Sequence, residues 1–105
     1  MEFNLSPHRK KIVISLLLES SPKLSDYIFE PNTDFSLRDF PEDILKSTWE
    51  LSAEDKLLVR VILDIWCGHG NVFLSEIFSS LSLRNRKLVL FALKKFDESE
   101  MAFNG

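Results

Sequence analysis

Cys67-Gly68-His69, preceded by Trp66 and followed by Gly70, holds the chain's single cysteine and one of its two histidines. A thiol beside an imidazole has the chemistry of a nucleophile with its base, or of two ligands to a metal. The spacing works against both. Residues two apart across a glycine turn rarely point at one atom, and His8 is distant in sequence. A metal would need two further donors. The reading that fits is structural: Cys67 packs as a small hydrophobe at a helix end and His69 is a turn residue. Asp26, Glu30, Asp34, Asp39, Glu42 and Asp43 are spread over helix ends and a loop, where capping and solvation account for them. No glycine-rich phosphate loop, HExxH or GxSxG pattern occurs. The expectation is a non-enzymatic protein with no catalytic residue, cofactor or metal. A cysteine-dependent enzyme built on Cys67 is the remote alternative.

The cations are more informative. Between Ile77 and Phe96 there is no Asp or Glu, but there are Arg84, Arg86, Lys87, Lys94 and Lys95. On a helical wheel Leu88, Val89, Ala92, Leu93 and Phe96 make one apolar arc. Leu90 and Phe91 fall outside it, among the cations. Aromatic and Arg side chains are enriched at protein interfaces. The expected contact surface is therefore Arg84, Arg86, Lys87, Leu90, Phe91, Lys94 and Lys95. Its partner would be an acidic protein or a second copy of the chain, as in a homodimer. The competing reading is a solvated basic face, with Leu90 and Phe91 covered by the first helix or by the 24–37 segment. Arg84, Arg86 and Lys87 also crowd a helix N-terminus, where positive charge is unfavourable. A compensating anion is expected: a carboxylate of this chain, an acidic partner or a phosphate.

Residues 71–93, NVFLSEIFSSLSLRNRKLVLFAL, resemble a helix-turn-helix of the kind found in winged-helix regulators. Leu74, Ile77, Leu81, Leu83, Leu88 and Leu93 carry the apolar spacing. The resemblance implies DNA binding as the alternative function, with helices at about 74–81 and 83–96. Arg84, Asn85, Arg86 and Lys87 would then start a recognition helix, facing phosphates and base edges. Phe78, where a small residue is usual, Ser82, where glycine is usual, and apolar Val89 and Leu90 depart from the pattern.

These residues need a scaffold, and 52–66 supplies it. Ser52 is an N-cap, Glu54 and Asp55 suit the positive end of a helix dipole, and Gly68 and Gly70 stop the helix. Leu57, Leu58, Val61, Ile62 and Ile65 share one face, while Val59, Leu63 and Trp66 make most of the remaining circumference apolar. Such a helix is buried. Before it, Ser6-Pro7 opens a helix over 7–19 in preference to a strand, although Ile12-Val13-Ile14 is β-branched. Leu24, Tyr27 and Ile28 fit a short helix ended by Pro31. Phe35 and Leu37 pin a loop over 31–38. Asp39 and Glu42 read as a capping box for a helix whose inner face is Ile44, Leu45, Thr48 and Trp49. Leu74, Ile77, Phe78 and Leu81 make a two-turn amphipathic helix. Ser82 caps the last helix, which ends near Phe96, with 97–105 a frayed acidic tail.

The chain of 105 residues is one domain, 1–105, with 45% hydrophobic residues and a net charge of −3. This balance opposes global disorder and a protein that coats nucleic acid. Three Gly and four Pro are too few for a many-turned β-sandwich. The apolar run IVISLLL is far shorter than the roughly 20 residues of a membrane span. With one cysteine and no basic-then-apolar leader pattern, a cytoplasmic protein without membrane contact is expected. The predicted fold is all-α: a compact single-domain bundle of five to six short helices around the central one.

Overall fold

The computed structural model describes residues 7–104, with side-chain surroundings described from 8 to 95. Six helices follow in order: α1 (Pro7–Leu18), α2 (Leu24–Ile28), α3 (Pro41–Ser47), α4 (Ala53–Cys67), α5 (Leu74–Ser80) and α6 (Leu83–Asn104). The described residues form no strand beyond an isolated antiparallel bridge, Phe29 to Leu37. The protein is an all-α single-domain globule.

Helix α4 is its axis. The Ser52 hydroxyl accepts the Asp55 N–H at 3.1 Å. Gly68, at φ 77°, closes the other end in the left-handed region, where a Cβ would be strained. Leu57, Leu58, Val59, Val61, Ile62, Leu63 and Ile65 are all buried. Around this helix, α1 packs against α4 and α6, α2 and α3 cover another side, and α5 a third. Val13, Ile14 and Leu17 of α1, Leu24 and Ile28 of α2, Ile44 of α3, Ile77 of α5, and Val89 and Ala92 of α6 join it in the core, with Phe29 and Leu81 from the connections.

The first element is a helix as expected, ending at Leu18, and its basic start has local partners. Lys10 is buried, and its ammonium donates to the Trp66 carbonyl at 3.2 Å. A cation thus sits at the negative end of α4. Lys11 pairs with Asp34 and lies 5.9 Å above the Phe35 ring centroid. Phe35 in turn packs with Phe29 and Trp66, so the 31–38 loop is fastened to the ends of α1 and α4. Two backbone bonds, Glu30 N–H to Ser36 and Arg38 N–H to Ile28, close its neck, each at 2.8 Å.

Three sequence expectations are corrected. The N-cap of α3 is Phe40, with no side-chain cap. Asp39 instead accepts the Phe40 N–H at 2.9 Å, one residue too early to cap the helix. Trp49 does not continue the inner face of α3: the helix closes at Thr48, and Trp49 is left 76% exposed. Helix α6 does not end near Phe96 but runs to Asn104, through a stretch containing the helix formers Glu, Met and Ala.

Candidate interaction surface

The α4–α5 turn fixes where the last two helices go. Arg60 of α4 donates from Nη1 to Glu76 Oε2 at 2.7 Å and from Nη2 to Oε1 at 3.0 Å. Its Nε reaches the Gly70 carbonyl at 3.1 Å, and Nη2 also bonds the Asn71 carbonyl. One guanidinium therefore clamps both the turn and α5. Glu76 also accepts the Phe73 N–H at 3.0 Å. Arg60 foremost, then that N–H, holds its carboxyl below the usual range.

A second carboxylate aims α6. Glu54, in the first turn of α4, accepts the Ser82 N–H at 2.7 Å and the Asn85 side-chain amide at 2.6 Å. Ser82 caps α6 by accepting the Asn85 N–H at 3.3 Å. The Ser82 backbone bond is the main cause that lowers the Glu54 pKa. The anion expected at the cationic start of α6 is therefore a carboxylate of this chain.

The predicted contact residues divide over two flanks of α6. Arg84, Lys87, Leu88 and Phe91 line an open groove of about 520 Å³ with Glu19 and Ser20 at the end of α1. The Lys95 ammonium lies 5.5 Å from the Phe91 ring centroid, within range of a cation–π attraction. Phe91 is 48% exposed and Leu90 44%; neither is covered by α1 or by the 24–37 segment. Arg86 is turned inward, its Nη1 donating to the Phe78 carbonyl at 3.1 Å. Leu90 follows Arg86 by four residues and precedes Leu93 by three, so it lies on the flank that meets α5.

Sequence reasoning missed the apolar face beside that flank. Leu74 and Phe78 were expected to share the inner face of α5 with Ile77 and Leu81. Ile77 and Leu81 are buried, but Leu74 is 73% exposed and Phe78 55%. The Arg60–Glu76 pair sets the rotation of α5, bringing Glu76 and Ile77 toward α4 and swinging Leu74 and Phe78 outward. Phe73 is exposed as well. The missed signal was Glu76, a carboxylate beside Ile77 that could demand an α4 partner.

At the end of α4, the Cys67 thiol donates to the Leu63 carbonyl at 3.3 Å, and His69 is exposed. Among the described residues, no group of three His, Cys, Asp or Glu side chains is arranged to hold a metal. No described helix is long and apolar enough to cross a membrane. No protein-family model, curated protein or solved structure matches the chain.

Proposed function

We propose that this protein is a small non-enzymatic interaction module that binds an acidic protein partner through α6. One observation carries the reading: Leu90 and Phe91 stand exposed on the 83–95 stretch of α6, which holds five cations and no acid. Apolar side chains supply contact area, while Arg84, Lys87, Lys94 and Lys95 steer a negatively charged partner. Arg86, bonded to the Phe78 carbonyl, contributes mainly by joining α6 to α5.

Helix-turn-helix DNA binding is the alternative. The joining of α5 to α6 by only Leu81 and Ser82 favours it. Glu54 opposes it, because its carboxylate occupies the helix N-terminus where a phosphate would sit and engages Asn85.

Two titrations separate these readings. A displayed library of acidic peptides should yield binders that are lost on Lys87→Glu with Lys95→Glu, while a mixed-sequence DNA duplex binds only weakly. Duplex binding that falls steeply with salt, weakens on Arg84→Ala, and is accompanied by no peptide selection would replace the leading reading with the DNA one.

A further inference from the structure

On the reading of α6 as the partner-binding helix, the geometry points to a second copy of this chain as its acidic partner. The contact is a reciprocal exchange: Trp49 of each copy enters the groove beside Phe91 of the other. Knob and groove lie at the same end of the molecule, the N-terminal end of α4. The Ser21 hydroxyl donates to Asp55 Oδ1 at 3.3 Å, which brings in the end of α1. Glu54 holds Ser82 and Asn85, which brings in the start of α6. Trp49 precedes the α4 cap, Ser52, by three residues. Its side chain is exposed and has no hydrogen bond or ring contact among the described residues. The groove between the end of α1 and the start of α6 has an aromatic wall, Phe91, and two cations, Arg84 and Lys87. All three attract the face of an indole.

Charge identifies the occupant. Residues 42–56 carry five acids and two cations, and 82–87 carry three cations and no acid. Glu19 and Lys23, at the end of α1, offset each other. This end of the molecule is therefore neutral, with its signs segregated, while the whole chain carries −3. Lys95 borders the far side of Phe91 and is followed on α6 by Asp97, Glu98 and Glu100, so the positive excess sits at 82–87. Only part of this charge is used within one copy. Glu54 is held as above, Lys23 pairs with Asp55 at 3.4 Å, and Arg86 serves the Phe78 carbonyl. Arg84, Lys87, Glu42 and Asp43 have no ion pair among the described residues. An unrelated acidic protein seated on 82–87 would set like charge against 42–56. A second copy turned about a two-fold axis meets both segments with opposite charge, and makes the Trp49 contact twice.

The test is self-association of the full chain. Sedimentation equilibrium should show a monomer–dimer equilibrium that weakens with added salt. The chain has two tryptophans. On concentrating, the indole N–H signal of Trp49 in NMR spectra should move, and that of Trp66 should not. Trp49→Ala, and separately Arg84→Ala with Lys87→Ala, should each weaken the dimer at least about tenfold while the circular dichroism stays native. Mixed one to one, these two proteins should associate more tightly than either does alone, because the mixed pair keeps one intact knob and one intact groove. A monomer at every concentration, a dimer indifferent to Trp49→Ala, or a mixture no tighter than its components overturns the proposal. Acidic peptides that still bind α6 in those cases leave the α6 reading standing, and their failure to bind removes it as well.

Discussion

Arg60 and Glu76 meet in a two-point ion pair, at 2.7 and 3.0 Å, that joins the middle of α4 to the first turn of α5. Planar guanidinium and carboxylate groups fix orientation as well as distance. With the bonds from the same arginine to Gly70 and Asn71, the pair sets both the reversal of the chain and the roll of α5. The outward position of Leu74 and Phe78 follows from it.

Replacing Arg60 should therefore harm more than a surface pair would. Arg60→Ala removes a charged donor from the Gly70 and Asn71 carbonyls, at a cost of about 2 kcal/mol. Arg60→Lys should recover only part of this, because an ammonium cannot reproduce the planar fork. Chemical denaturation measures both variants. Equal stability of wild type and Arg60→Ala would remove the clamp from the account of the turn.

Gly70 should tolerate no side chain. A Cβ there would lie 1.9 Å from the Arg60 carbonyl oxygen and 2.6 Å from Asp64 Cβ. The obstructing oxygen belongs to the α4 backbone and cannot swing aside. Gly70→Ala is expected to destabilise by about 2–4 kcal/mol, within the range of severe single substitutions. Gly68→Ala, which meets the left-handed backbone penalty at φ 77°, should cost about 1 kcal/mol. A thermal melt in which the two variants were equal would mean that the turn shifts to admit the methyl group.

The contrast between these glycines shows what could be read in the sequence. The helix stop at Gly68 and the cap at Ser52 are local, and both follow from residue type beside an apolar run. The packing of Gly70 against Arg60 depends on tertiary approach and leaves no local trace. The same holds for Glu54, which reads as an ordinary first-turn acid of α4 while its carboxylate serves Ser82, 28 residues away. Face assignment failed where helices were short. Over the seven residues of α5, periodicity cannot choose between the stripe Ile77–Leu81 and the stripe Leu74–Phe78. Over the 15 residues of α4 that ambiguity did not matter, because nearly every direction is buried. The contact residues of α6 were legible as a set of types, but their division between two flanks required the positions of α1 and α5.

Glu54 and Glu76 make stability depend on acidity. Both carboxyls titrate below their ordinary value of 4.5 in the folded chain. The unfolded chain therefore takes up protons first as pH falls. The stabilisation is complete above the unfolded value, shrinks as pH drops below about 5, and is gone below the folded values. Glu54→Gln keeps an oxygen for the Ser82 N–H but removes one titrating group. Its stability should fall less steeply with decreasing pH than that of the wild type. Denaturation midpoints collected across the acid range decide this, and parallel curves for the two proteins would rule out Glu54 as a contributor.

The two stripes of α5 should also separate cleanly by stability. Ile77 is buried in the core, so Ile77→Ser places a hydroxyl and a void where α5 meets α4, and a loss of about 3 kcal/mol is expected. Leu74→Ser and Phe78→Ser alter side chains that are mostly in water. Each should stay within about 0.5–1 kcal/mol of wild type. The comparison needs no partner, because it reads only which stripe the fold uses. If Phe78→Ser were as damaging as Ile77→Ser, α5 would be rolled the other way in solution and the Leu74–Phe78 stripe would belong to the core. If only Ile77→Ser is damaging, the chain keeps Leu74 and Phe78 at the surface at no large benefit to its own folding, as expected of residues retained for contact with another molecule.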